Sequence, residues 1–214
     1  MPLLKAICVA LAAYSVLPMP RRPWDNHHLR YALCALPVVG LLIGASLLLW
    51  ALLCQRLGVG QVLFAAVATV IPLLLSGGIH LDGFCDTVDA LASQQPRERQ
   101  LAILKDTHTG AFAVIYCAAY LLVCCGLYAQ LYAAATPGTP ILVGHIFILS
   151  RALTALSAFT LPNARGEGML ASFTRGADKR IACLIALLIA LLAAAAMLLL
   201  ALWPGLFGLA MSGL

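Results

Sequence analysis

Four stretches of this sequence, residues 31–54, 62–79, 111–135 and 181–203, contain no Asp, Glu, Lys or Arg. Each is close to the roughly 20 apolar residues that an α-helix needs to cross the hydrocarbon core of a bilayer. A helix satisfies its own backbone hydrogen bonds, which is the condition lipid imposes on a spanning segment. The expected fold is therefore all-α. A soluble helical bundle is excluded by composition: 63% of the 214 residues are hydrophobic and only 10% are charged, against about 25% charged in soluble domains. Too few polar residues remain to coat such a core. A fifth apolar segment, 140–161, is interrupted by Arg151, and a sixth, 6–18, is short. The short one fits a steep span, a re-entrant piece or an interfacial helix. It is expected to stay in the mature chain, because no small-x-small cleavage site precedes Pro18. The expectation is one transmembrane domain over residues 1–214, a polytopic integral membrane protein of about five or six transmembrane helices.

The charges orient those helices. Polar connections fall at residues 21–30, 55–61, 80–110, 136–138 and 163–180, and alternate connections must share a side. The first, third and fifth hold Arg21, Arg22, Arg30, Arg97, Arg99, Lys105, Arg165, Arg175, Lys179 and Arg180, whereas the second and fourth hold only Arg56. The positive-inside rule then predicts that the long connections face the cytoplasm of a bacterial inner membrane. All eight acids lie in these same connections or at their membrane edge, so one face carries the chemistry. The net charge of +5 is what basic loops at an anionic leaflet produce, and nucleic acid is not an expected partner. The eight cysteines sit mostly in apolar segments without paired ligand spacing, and they read as small buried apolar residues.

The informative run is Ser76-Gly77-Gly78-Ile79-His80-Leu81-Asp82-Gly83-Phe84-Cys85-Asp86-Thr87-Val88-Asp89-Ala90. Asp82, Asp86 and Asp89 stand at i, i+4 and i+7, so on a helix they share about 60° of arc. Three anions that close at the rim of a low-dielectric slab repel one another unless a cation sits among them. Carboxylate oxygens suit Mg²⁺, which binds one or two carboxylates and completes its shell with water and substrate phosphates. Gly77 and Gly78 are expected to break the preceding span and to let backbone N–H groups approach a phosphate. Two other readings compete: a solvated acidic helix face, and the ion relay of a cation transporter. Transporter sites tend to lie near the midplane, however, and this stripe sits at a span's end.

The same connection continues through Arg97, Arg99, Lys105, Asp106, Thr107 and His108 to Gly110. A helix opening at Thr109 or Gly110 would turn its positive end toward this loop and favour an anion there. Lys105 is a candidate phosphate contact and Asp106 a candidate fourth carboxylate; Arg97 and Arg99 also fit helix-end anchors. Arg151, inside an apolar span, costs at least ~2.5 kcal/mol to insert and should face a polar interior and pair with an anion. The run Asn163-Ala164-Arg165-Gly166-Glu167-Gly168 adds donors in a glycine-flexed loop. His27, His28 and His145 read as interfacial or core histidines, without a ligand partner at useful spacing.

These runs, GGIHLDGFCDTVDAL, ILKDTHTGAFAV, LSRAL and NARGEG, together with Leu17-Pro18-Met19-Pro20 and residues 36–44, resemble cobalamin synthase, the adenosylcobinamide-GDP ribazoletransferase family. The resemblance extends over nearly the whole chain in order. Where the family typically reads HLDGLADTADG, this chain carries Cys85, Val88 and Ala90 and keeps every acid. Family members usually continue into a GGxTGDxxGA-type motif with a glutamate beyond it. Neither occurs before Leu214, so the expected domain lacks that C-terminal segment.

The resemblance implies a membrane-bound, Mg²⁺-dependent transfer in cobalamin biosynthesis. The α-ribazole or its 5′-phosphate would attack the phosphate on the corrinoid's aminopropanol arm and release GMP. The implied partners are the corrinoid nucleotide, α-ribazole and membrane lipid, with homo-oligomerisation left open. Asp82, Asp86 and Asp89 are the expected metal ligands, Asp82 or Asp86 alternatively being a general base. Lys105 and Asp106 join them as catalytic residues, and Gly77, Gly78, His80, Arg151 and Arg165 as substrate contacts. A CDP-alcohol phosphotransferase is the competing enzyme. Asp82-Gly83 and Asp86 echo its D-G-x-x-A-R start, but no Ala-Arg pair follows.

Overall fold

The computed structural model describes residues 2–19, 31–106, 108–134, 138–164, 166, 168–175 and 177–212. Among them every regular element is a helix. These are α1 (Pro2–Tyr14), a 3-10 turn (Leu33–Ala35), α2 (Leu36–Leu57), α3 (Gln61–Ser76), α4 (Ile79–Ala92), α5 (Arg97–Ile103), α6 (Ala111–Ala133), α7 (Thr139–Thr160), α8 (Met169–Thr174) and α9 (Lys179–Ser212). Leu33–Leu57, Ala111–Ala133, Thr139–Thr160 and Lys179–Leu202 are long and apolar enough to cross a membrane. The chain is an all-α polytopic membrane protein. Its large apolar side chains point outward: Val62 is 80% exposed and Leu122 74%, as a surface solvated by lipid requires.

Contacts group the chain into two compact units, residues 1–53 with 135–214, and residues 54–134. In the first unit Leu33, Leu36, Val39 and Ile43 are fully buried, and small side chains line the contact between α7 and α9. Ala182, Ala186, Ala190 and Ala193 of α9 are buried, recurring every three or four residues along the stripe that packs on α7. Ala152 and Ala155 of α7 are likewise inaccessible. Lipid tails are as apolar as leucine, so close backbone approach holds such helices together. Gly44 of α2 meets Gly144 of α7 so closely that a Cβ on Gly44 would lie 2.8 Å from the Gly144 Cα. With Gly40 it forms a G-x-x-x-G pair. Ala6 and Ala10 of α1 pack on Ala35 of the 3-10 turn. At 13 residues, α1 rises about 20 Å, short of a bilayer core of about 30 Å.

The second unit departs from the sequence expectation. Residues 62–79 do not form one continuous span: α3 stops at Ser76 and α4 leaves it at 94°. Gly77 and Gly78 both take the left-handed conformation, at φ 63° and 76°, which costs an L-residue about 1–2 kcal/mol. The Gly78 N–H donates to Leu73 O at 3.0 Å and the Gly77 N–H to Leu74 O. This is a Schellman end, which satisfies carbonyls that a helix terminus would leave bare. Gly77 and Gly78 break the helix as expected of them, whereas hydropathy, which registers apolar side chains and not turns, runs the apolar stretch on to residue 79.

The contacts of α6 show how the bent pair runs. At the far end of α6, Gln61 Nε2 donates to Ala129 O at 3.0 Å, Tyr132 OH donates to Val59 O at 3.1 Å, and Tyr132 stacks on Phe64 at 4.2 Å. At the opening of α6, Asp89 near the end of α4 holds Gly110 and Ala113. The chain thus enters α3 beside one end of α6 and leaves α4 beside the other. A re-entrant loop would return to the end it started from, so α3 and α4 together make one broken span.

Candidate active site

All three aspartates of the stripe lie on α4, as the spacing requires. Gly78 serves as its N-cap residue, its carbonyl accepting from the Asp82 N–H at 2.9 Å. Asp82 stands in the first turn and is exposed, whereas Asp86 and Asp89 are half-buried. A carboxylate in the first turn is favoured by the positive helix end. His80 is half-buried at the start of the same helix. Phe84 of α4 leans on Tyr120 of α6 with ring centroids 5.5 Å apart, and the Cys85 thiol faces Ala113 O.

The three carboxylates do not behave alike. Asp89 Oδ2 accepts from the Gly110 N–H at 2.5 Å, and Oδ1 from the Ala113 N–H at 2.9 Å. These donors belong to the first turn of α6, where no intrahelical partner exists. The anion expected at this helix N-terminus is thus supplied by the chain itself. One of the three charges is already balanced by peptide dipoles, which leaves Asp82 and Asp86 as the adjacent pair. Among the described residues, no group of three or more His, Cys, Asp or Glu side chains is placed to hold a metal. Asp82 and Asp86, four residues apart on α4, are of the ligand type and number that Mg²⁺ commonly takes from a protein.

After α4 the chain turns at Gln94, which has φ 51°, and Pro96 caps α5. Lys105 is exposed in the turn that follows, in the same unit as the carboxylates. Asp106 Oδ1 accepts from the His108 N–H at 3.0 Å and lies 2.6 Å from His108 Nδ1. Asp106 therefore orders a local turn with His108, a pairing the sequence reading did not single out. A carboxylate two residues before a histidine was the available signal.

Arg151 belongs to α7, in the other unit. It is half-buried, its guanidinium stands 5.6 Å from the centre of the Phe147 ring, and its Nη1 donates to Ser150 Oγ at 3.4 Å. Asn163 Oδ1 accepts from the Gly166 N–H at 3.2 Å, and Gly166 and Gly168 take positive φ, as a glycine-flexed loop should. Arg165 lies outside the described residues. His145 Nδ1 contacts Ile141 O at 2.8 Å within its own helix. All eight cysteines are free thiols.

Comparison with known proteins adds to this geometry. A family model described as cobalamin-5-phosphate synthase matches residues 6–214. The chain is 40% identical over 177 residues to an adenosylcobinamide-GDP ribazoletransferase of Lachnoclostridium phytofermentans, covering 83% of this chain and 66% of that one. It is 35% identical over 170 residues to the protein of that name from Desulfitobacterium hafniense, covering 78% and 66%. The Clostridium perfringens protein is 40% identical over 119 residues, covering 56% and 47%. The matches therefore span between about half and two thirds of the length of these relatives. No solved structure matches.

Proposed function

The chain belongs to the cobalamin-5-phosphate synthase family, and from that membership and the carboxylate helix we propose that it joins adenosylcobinamide-GDP to α-ribazole or its 5′-phosphate. The observation that carries the reading is the pair Asp82 and Asp86, set on the second half of a broken span just past two left-handed glycines. Broken spans expose helix ends and irregular backbone at the depth where polar substrates must be met.

In this reading a secondary ribose hydroxyl, free in both α-ribazole and its 5′-phosphate, attacks the phosphorus next to the aminopropanol arm. An O–P bond forms there, the P–O–P bridge breaks, and GMP leaves with the bridging oxygen. Asp82 and Asp86 would hold Mg²⁺, which when bound neutralises charge on the bridging and leaving oxygens. The carboxylate of the pair less engaged in that role takes the hydroxyl proton. Lys105, in the same unit as the carboxylates, offers a point charge to a phosphate, whereas the Gly77 and Gly78 N–H groups expected to approach one are already taken by Leu74 O and Leu73 O. The loops that carry this chemistry hold the excess of Lys and Arg, which supports a cytoplasmic orientation at the inner membrane.

The test is direct. Membranes containing the protein, supplied with adenosylcobinamide-GDP, α-ribazole and Mg²⁺, should release GMP and form a corrinoid product in equal amounts. A CDP-alcohol phosphotransferase would instead consume a CDP-linked substrate and release CMP, and a cation transporter would consume neither.

A further inference from the structure

The helix that carries Asp82 and Asp86 is not held in line by the helix before it. The left-handed glycines interrupt the backbone ladder between α3 and α4, so the rotation of α4 depends on its tertiary contacts. A rotation by one residue would swing the carboxylates through about 100°. Two polar residues of α4 reach α6: the Cys85 thiol faces Ala113 O at 4.0 Å, and Asp89 makes the shorter contacts, its two oxygens taking the Gly110 and Ala113 N–H groups. α6 begins at Gly110, a residue with no side chain to cap its own helix. A carboxylate 21 residues upstream does so in its place. A Cβ on Gly110 would collide with that carboxylate, all three of its nearest atoms belonging to Asp89.

We infer that Asp89 is a positioning residue whose carboxylate latches α4 to the first turn of α6 and so sets how Asp82 and Asp86 are presented, with Gly110 a glycine because the latch needs its space. This rests on the transferase reading for what the presented pair does. It departs from the stripe as three equivalent metal ligands: Asp89 shares the helix face of Asp82 and Asp86 but meets backbone donors of α6. The charge also sits at the positive end of α6, where an anion is favoured.

The experiment compares Asp89→Asn, Asp89→Ala, Gly110→Ala, the double variant Asp89→Ala/Gly110→Ala, and Asp86→Asn, each purified in detergent. Asparagine keeps one acceptor oxygen and turns an NH2 toward the second donor, so Asp89→Asn should lower kcat less than Asp89→Ala does and leave the Mg²⁺ concentration for half-maximal rate unmoved. Asp89→Ala and Gly110→Ala should each lower kcat about 100-fold, the effect of a displacement of roughly 1 Å at reacting groups. The double variant should fall no lower than Asp89→Ala alone, because the clash and the latch are the same contact. Thermal unfolding supplies the second reading. Mg²⁺ should still raise the melting temperature of both Asp89 variants and should no longer raise that of Asp86→Asn.

Loss of the Mg²⁺ shift in Asp89→Asn, or a tenfold rise in its Mg²⁺ requirement, would make Asp89 a ligand and overturn the latch. Additive losses of melting temperature in the double variant would overturn it too. If the parent protein releases no GMP, the transferase reading fails instead. The latch is then judged on the melting-temperature cycle alone, where non-additivity supports it.

Discussion

Asp82, Asp86 and Asp89 have the same chemistry and the same helix face, yet they are differently placed. Asp82 is exposed, Asp86 is half-buried, and Asp89 is spent on two backbone N–H groups. If Asp86 holds Mg²⁺ as proposed, Asp86→Asn should abolish GMP release while leaving membrane insertion unchanged, since it exchanges a charge for an amide of the same shape. Turnover at the parental rate under limiting Mg²⁺ would remove Asp86 from the ligand set. Arg151 presents a different case. Its guanidinium is half-buried against Phe147, and the leucine of Arg151→Leu should be inserted at least as readily as the arginine. If the guanidinium meets a phosphate, that variant should raise KM for the GDP-bearing substrate about 10- to 100-fold, the worth of a charge-assisted hydrogen bond. An unaltered KM would make Arg151 a structural residue.

At the scale of elements, the break between α3 and α4 decides where the carboxylates go. Replacing Gly77 with alanine puts a Cβ into a left-handed conformation and should cost about 1–2 kcal/mol, seen as a lower melting temperature in detergent. If the melting temperature holds, the turn has been remade in another geometry. The broken span also has a topological consequence. Gly60 precedes α3 and Gln95 follows α4, and both are exposed. In a background with the native cysteines replaced, Gly60→Cys and Gln95→Cys should react with a membrane-impermeant maleimide from opposite sides of sealed vesicles. Labelling of both from one side would make the pair a re-entrant loop. Small residues play the matching part in the other unit. Gly44→Leu should separate α2 from α7 and destabilise the protein more than a leucine placed at Gly126, where a Cβ would meet nothing within 4 Å.

Across the whole molecule, the all-α class, the apolar segments that can span and the lipid-facing surface could be read from the sequence, because hydropathy and charge are local properties that the bilayer tests one segment at a time. The carboxylate stripe was equally legible, since helical period follows from backbone geometry alone. The glycine pair was legible as a break, but the 94° direction that α4 takes after it was not, because neither hydropathy nor period encodes an angle. The same local reasoning treated three aspartates as equals. Which of them meets an amide donor 21 residues away depends on how α4 packs against α6, and no periodicity encodes that. The sequence by itself determined the solvent, the helices and the face that bears charge. Only the tertiary structure decided where α4 runs after the break and that Asp89 caps a neighbouring helix, because both follow from contacts between α4 and α6, segments distant along the chain.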